Sequence, residues 1–229
     1  MKEIMHLYHL YADSEYEDAA TEHFTSLNKY GLGKYIDKFY IGLVGKPINR
    51  KKALRFVNKF GYNPKVITKV ESGYEYETLS KLPELIENFN GYVLYAHTKG
   101  SSFSIKDPHM PYWRAGLNYY NIEQWKRQIK ALENNYDTAG AYWLNEPELK
   151  NERFFAGTYW WANSKYLKTL SKLTNENRYT SERWIGLNKD VKYFDADKYF
   201  NDYNKFKIWL NPPNNQIFFS YGGVKNEFK

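Results

Sequence analysis

Apolar positions fall along this chain in two alternating styles, short continuous runs and helical stripes. Residues 4–12, IMHLYHLYA, form an apolar and aromatic run that suits a strand covered on both faces. Asp13 and Ser14 then offer a cap ahead of a helix carrying Ala19, Ala20, Phe24 and Leu27, with Gly31 and Gly33 marking its end. FYIGLVG at 39–45 predicts a second strand closed by glycine. Lys51 to Phe60 predicts a helix that stops at Gly61, and KVITKV at 65–70 a third strand. A helix from about Thr78 to Asn88 follows. The run YVLYAHTKG at 92–100 then gives a fourth strand whose polar tail leaves the sheet.

Strands alternating with helices predict an open α/β sheet, mainly parallel, with right-handed crossovers. Ligands of such sheets bind beyond the carboxyl ends of the strands, and His97-Thr98-Lys99-Gly100 sits at such an end. The second half reads differently. Residues 101–112 form a polar loop containing proline, and Trp113 to Leu132 predicts one long helix with a broad apolar face. DTAGAYWL (137–144), RFFAGTYWWANSKYL (153–167) and TSERWIG (180–186) each join a short strand or loop to a helix start. No repeat or low-complexity linker divides the chain. It is expected to be a single domain over 1–229, with halves at about 1–100 and 101–197 and an aromatic, Asn-rich tail (198–229) packed on it.

Composition narrows the chemistry. Without cysteine there are no disulfides, thiolate metal sites or cysteine nucleophiles. A 42% hydrophobic fraction with 19% aromatics argues against disorder. No apolar run approaches the roughly 20 residues of a membrane span. Glu3, His6 and His9 spoil the amino-terminal segment as a signal-peptide core, so a soluble, cytoplasmic protein is expected. The net charge is +7, yet only 7 of the 33 basic residues are arginine. Phosphate and base readers favour arginine, so the excess fits an AT-rich genome and solubility as well as a polyanion surface.

Familiar motifs are missing. Gly31-x-Gly33 follows a helix and lacks the third glycine of a dinucleotide fingerprint, and neither a P-loop nor a G-x-S-x-G elbow occurs. His6 and His9 stand at odd spacing on one strand, so they face opposite sides and cannot share a metal. His23 and His109 read as surface or loop residues. His97 and Lys99 leave their strand end on one side as an anion-binding pair, and Gly100 lets a ligand approach the backbone.

Further elements recur in a recognisable order. They are Tyr95-x-His97-Thr98-Lys99-Gly100, the pair Trp113-Arg114, Tyr136-Asp137 to Gly140, AGTYWWANSKYL at 156–167, and Arg178-x-x-x-Glu182-x-Trp184. Over residues 4–190 this order resembles the glycosyltransferases of the rhamnan-synthesis type and the small bacterial and viral sugar transferases related to them. The resemblance implies a GT-A fold, in which a Rossmann-like sheet that binds a nucleotide sugar, expected to be a UDP-sugar, merges with an acceptor-binding half. The acceptor would be a hydroxyl of a glycan or lipid-linked sugar, or of a modified DNA base in a viral setting, which keeps nucleic acid among the partners. Donor contacts are expected from Tyr8, His9, Leu10, Glu77, His97, Lys99, Gly100 and Arg114. Acceptor contacts are expected from Gly157, Trp160, Trp161 and Trp184, with one ring of Tyr159-Trp160-Trp161 in the core and another at the acceptor. Glu182, in the first turn of a helix capped by Thr180 or Ser181, is the expected base, with Asp137 in reserve. The usual Asp-x-Asp, which holds Mn²⁺ or Mg²⁺ on the donor, is replaced at the fourth strand by His97-Thr98-Lys99. Metal dependence is therefore expected to be weak or absent, with Asp195 and Asp197, in a turn entering a helix, as the fallback. A non-catalytic carbohydrate- or nucleic-acid-binding domain derived from a transferase is the alternative.

Overall fold

The computed structural model describes residues 2–101, 110–146, 152–197, 218–221 and 224–227. The parallel strands β1 (Glu3–Tyr11), β2 (Ile36–Val44), β3 (Lys65–Val70) and β4 (Gly91–His97) coincide closely with the four apolar runs. The sheet continues through β5 (Thr138–Gly140), β8 (Trp160–Asn163) and β9 (Tyr193–Asp195), giving seven strands in the order β3-β2-β1-β4-β8-β5-β9. Strand β8 alone runs against its neighbours. The fold is thus the expected α/β type, a mixed and mainly parallel sheet flanked by helices. Two further short antiparallel pairs form: β6 (Trp143–Glu146) with β7 (Glu152–Phe155), and β10 (Phe218–Tyr221) with β11 (Val224–Glu227). The rest of the predicted tail, and His109, lie outside the described residues.

Period-two alternation sends successive side chains of β1 to opposite faces, and both faces are covered. Ile4, Tyr8 and Leu10 pack beneath α1 (Tyr16–Lys29) and α2 (Pro47–Asn58), in a cluster that extends to Trp161. Met5 and Leu7 pack on the other side with Trp160, Trp184 and the helices α3 (Tyr76–Leu79) and α4 (Leu82–Ile86). Gly42 on β2 lets Thr78 of α3 come close, since a Cβ at Gly42 would collide with the Thr78 side chain.

Several local expectations are corrected. Asp13 and Ser14 do not cap α1: Asp13 accepts from the Lys46 N–H and the Asn49 amide, and the Ser14 hydroxyl donates to the Tyr11 carbonyl. The helix over 78–88 is two pieces, because Pro83 lacks an N–H and is tolerated in the first turn of α4. The long helix of 113–132 is α5 (Met110–Asn118) and α6 (Trp125–Glu133), interrupted by a widened turn at Tyr119–Glu123. There the side-chain amides of Asn121 and Gln128 donate to the carbonyls of Leu117 and Tyr120, satisfying groups the regular ladder would have used. The helix start after β8 is one turn, α7 (Ser164–Leu167), capped by Asn163, whose side chain accepts the Lys165 N–H. His23 is a core residue, fully buried with its Nε2 2.9 Å from Nε2 of His6. It follows Ala19 by four and Ala20 by three, so helical spacing aims it inward.

Candidate functional site

Strands β1, β3 and β4 run in parallel, so their carboxyl ends open at one edge of the sheet, where a cleft of about 710 Å³ lies. This is within the roughly 300–1,000 Å³ of small-molecule sites. His9 and Tyr11 line it from β1, Glu75 and Glu77 from the segment after β3, and His97, Thr98, Lys99 and Gly100 from the end of β4. Asn175 and Arg178 close it from the stretch ahead of α8 (Thr180–Arg183).

Hydrogen bonds fix the cleft floor. His9 Nδ1 lies 2.8 Å from the Thr78 hydroxyl, a contact allowed by the close approach at Gly42. Burial lowers the His9 pKa to about 4 against the opposing charge of Glu75, so its ring is neutral near pH 7. Nδ1 of His97 is 3.1 Å from Glu75 Oε1, and its Nε2 is 2.9 Å from the Gly157 carbonyl oxygen. Both ring nitrogens therefore face acceptors, and both can donate at once only as an imidazolium. Burial alone would raise the Glu75 carboxyl, but the hydrogen bond and charge of His97 outweigh it and hold Glu75 well below the usual carboxylate range. The Gly157 N–H donates to Glu182 Oε1 at 3.3 Å.

Two cations face this space. Half-buried Lys99 places its ammonium 4.0 Å from the centre of the Trp113 ring. Burial lowers its pKa, with Glu182 and Glu75 pulling upward and Arg178 pushing down. The exposed Arg178 guanidinium lies against the rings of Tyr74 and Tyr179. Among the described residues neither cation makes an ion pair. Two cations with no ion-pair partner among the described residues, beside a hydrogen-bonded polar floor, are groups of the kind that attract an anion. The same donor set does not suit a divalent cation, since both His97 nitrogens are engaged and Lys99 contributes positive charge. Among the described residues no group of three or more histidines and carboxylates could hold a metal.

No protein family and no curated protein matches this chain. Among solved structures it is similar to a 4-diphosphocytidyl-2C-methyl-D-erythritol synthase from Anaerococcus prevotii, at 11% identity over 88% of this chain and 89% of that one, with a TM-score of 0.47. A protein from Desulfovibrio desulfuricans assigned as a nucleotide-diphospho-sugar transferase shows 12% identity over 85% and 80% of the two chains, with a TM-score of 0.46. A further 4-diphosphocytidyl-2C-methyl-D-erythritol synthase shows 10% identity over 91% and 97%, with a TM-score of 0.44. At these values the likenesses carry no argument about the reaction.

Of the residues singled out in the sequence, His9, Glu77, His97, Lys99 and Gly100 line the cleft. Gly157 and Glu182 do not line it; they are linked to the cleft residue His97 through the hydrogen bonds above. Tyr8 and Leu10 point into the core beneath α1. Arg114 is held by Glu22 of α1 through two bonds, of 2.7 and 2.8 Å. Trp160 and Trp161 are both fully buried, one on each face of β8, and Trp184 is buried with its Nε1 donating to the Ser171 carbonyl. Thr180 and Ser181 lie inside α8 rather than capping it. Asp137 precedes β5, which runs parallel to β4, so it sits at the opposite end of the sheet, where its carboxylate accepts the Lys192 N–H. Asp195 ends strand β9 and accepts the N–H groups of Tyr142, Trp143 and Asp197; the helix expected after it lies outside the described residues. Burial raises the Asp195 pKa to about 7. Glu75 and the cleft-facing role of Arg178 were missed. Glu75 lies in a turn after β3 that the strand-end rule covers but no motif marks.

Proposed function

We propose that this protein is a glycosyltransferase that takes a nucleotide sugar, of the UDP-sugar class, and moves the sugar to an acceptor hydroxyl. The observation that supports it is the pair Lys99 and Arg178, two cations without a carboxylate partner among the described residues, in a cleft beyond the carboxyl ends of parallel strands. In this reading they meet the donor diphosphate, with Arg178 in the place the sequence suggested for Arg114. The acceptor oxygen attacks the anomeric carbon, the bond from that carbon to the diphosphate oxygen breaks, and Glu182 takes the hydroxyl proton as the nucleoside diphosphate leaves. Transfer by this route inverts the anomeric configuration. A bidentate arginine and a nearby lysine suit a diphosphate that gains negative charge as it departs.

The test is calorimetric titration with UDP, GDP and dTDP, followed by assay of donor consumption with the matching sugar nucleotides. Binding of one diphosphate, weakened at least tenfold in Lys99→Ala, with slow hydrolysis of its sugar nucleotide, supports the proposal. Binding without turnover returns the chain to a non-catalytic domain.

A further inference from the structure

Four groups from four separate chain segments form a line of hydrogen bonds that starts in the cleft at Glu75 and His97 and runs through Gly157 to Glu182. Glu75 Oε1 meets His97 Nδ1 at 3.1 Å, and His97 Nε2 meets the Gly157 carbonyl at 2.9 Å. The Gly157 N–H in turn reaches Glu182 Oε1 at 3.3 Å. We propose that Glu75 is a positioning residue for the transfer reaction, acting through His97 and Gly157 to set the place of the Glu182 carboxylate; this rests on the reading of Glu182 as the base.

Gly157 is the joint in this line. Its φ of +89° is open to glycine and strained for other residues, and it sits in the tight turn between β7 and β8, where the Thr158 N–H donates to the Phe155 carbonyl. A Cβ at this position would meet Leu117 and Trp113 of α5, so the backbone lies directly against that helix. Glycine supplies no side chain to hold its own dihedrals. The His97 bond to its carbonyl supplies that restraint, and the Tyr159 hydroxyl, donating to the His97 carbonyl at 2.6 Å, ties the same turn to the end of β4.

Glu182 needs such a fixed donor. Helix α8 is a single turn without a side-chain cap, so it does little to aim the carboxylate. Among the described residues the Gly157 N–H is the hydrogen bond that Glu182 accepts. Glu75 stands at the far end, where its negative charge faces Nδ1 and holds the His97 ring with Nε2 toward the Gly157 carbonyl. Glu75→Gln removes that charge while preserving size, so the His97 ring would release the Gly157 carbonyl or turn, and the Gly157 N–H would move with it.

Two measurements test the idea. In ¹⁵N-labelled protein, Glu75→Gln should shift the Gly157 amide resonance and speed its exchange with solvent by about tenfold. An unchanged Gly157 amide overturns the relay whether or not transfer is detected. In steady-state assay with the sugar nucleotide the wild type consumes, Glu75→Gln should lower kcat by about tenfold with donor KM within about twofold. Glu75→Asp should recover part of that rate, and adding Glu75→Gln to Glu182→Gln should cost nothing further. Losses that multiply in the double variant, or a raised KM with intact kcat, overturn the proposal. Should Glu75→Gln fail to fold, Glu75→Asp is read in the same two measurements, with a smaller shift expected. If the wild type consumes no sugar nucleotide, the transferase reading falls, while the Gly157 amide still decides whether Glu75 controls this turn.

Discussion

Lys99 and Glu182 come from distant parts of the chain, yet burial lowers the Lys99 pKa and Glu182 is among the charges that pull against that shift. Their proposed roles separate cleanly by substitution. Lys99→Ala should lower kcat by roughly 10²-fold, the scale of removing one preorganised electrostatic contact, and should weaken nucleoside diphosphate binding as well. Glu182→Gln should leave donor binding intact and cut transfer by roughly 10²–10⁴-fold, the range of a general base. Binding and single-turnover measurements on the two variants distinguish these patterns. Near wild-type transfer in Glu182→Gln would make that residue structural and favour a retaining route without an enzymic base.

Between elements, the contact of β2 with α3 decides how the cleft floor is built. Gly42 leaves room for Thr78, and Thr78 holds His9. Gly42→Ala should force Thr78 away, at a cost of roughly 1–3 kcal/mol of overpacking. For a domain of this size that is a fall in Tm of roughly 2–4 °C per kcal/mol. Thermal denaturation checks the stability. A crystal structure of the variant checks that the His9–Thr78 contact is lost while β2 keeps its register with β1. An undisturbed Tm would mean that α3 shifts freely and does not set the position of His9.

Across the whole molecule, acid should be the weak side. His6 and His9 have pKa values lowered by burial from 6.5 to about 4, and burial, together with the neighbouring His6, also holds His23 well below 6.5. A depressed histidine costs no stability above pH 6.5, and its cost grows as pH falls toward 4, because the unfolded chain takes up the proton first. Glu75, also depressed, stabilises above about pH 4.5 and loses that contribution below it. Asp195, raised to about 7, works in the opposite sense. Between pH 7 and pH 4 the three histidines outweigh it, and Glu75 adds to the loss only below about pH 4.5. Each tenfold difference in proton affinity between folded and unfolded chain is worth roughly 1.4 kcal/mol, so the net loss is a few kcal/mol. Calorimetry between pH 7 and pH 4 should show Tm falling by about 10 °C. Metal should matter less: activity should survive EDTA, whereas complete loss restored by Mn²⁺ would move Asp195 and Asp197 to the donor.

The four parallel strands were legible in the sequence: YVLYAH is buried along its length between β1 and β8, as a continuous apolar run requires, while KVITKV, partly exposed, pairs with β2 alone at the sheet edge. The sequence also pointed to the end of β4, which lines the cleft, because strand direction alone fixes which end opens. Local pattern could not tell where side chains are spent. Arg114 resembles an anion binder until α1 brings Glu22 to it, and Trp160 and Trp161 resemble a sugar platform until β8 is inserted between β4 and β5 with both of its faces covered. Glu75, His97, Gly157 and Glu182 stand as far as 107 residues apart in sequence, so only the tertiary structure could join them. Hydrogen bonds act over about 3 Å, and which groups come that close is decided by packing, not by spacing along the chain.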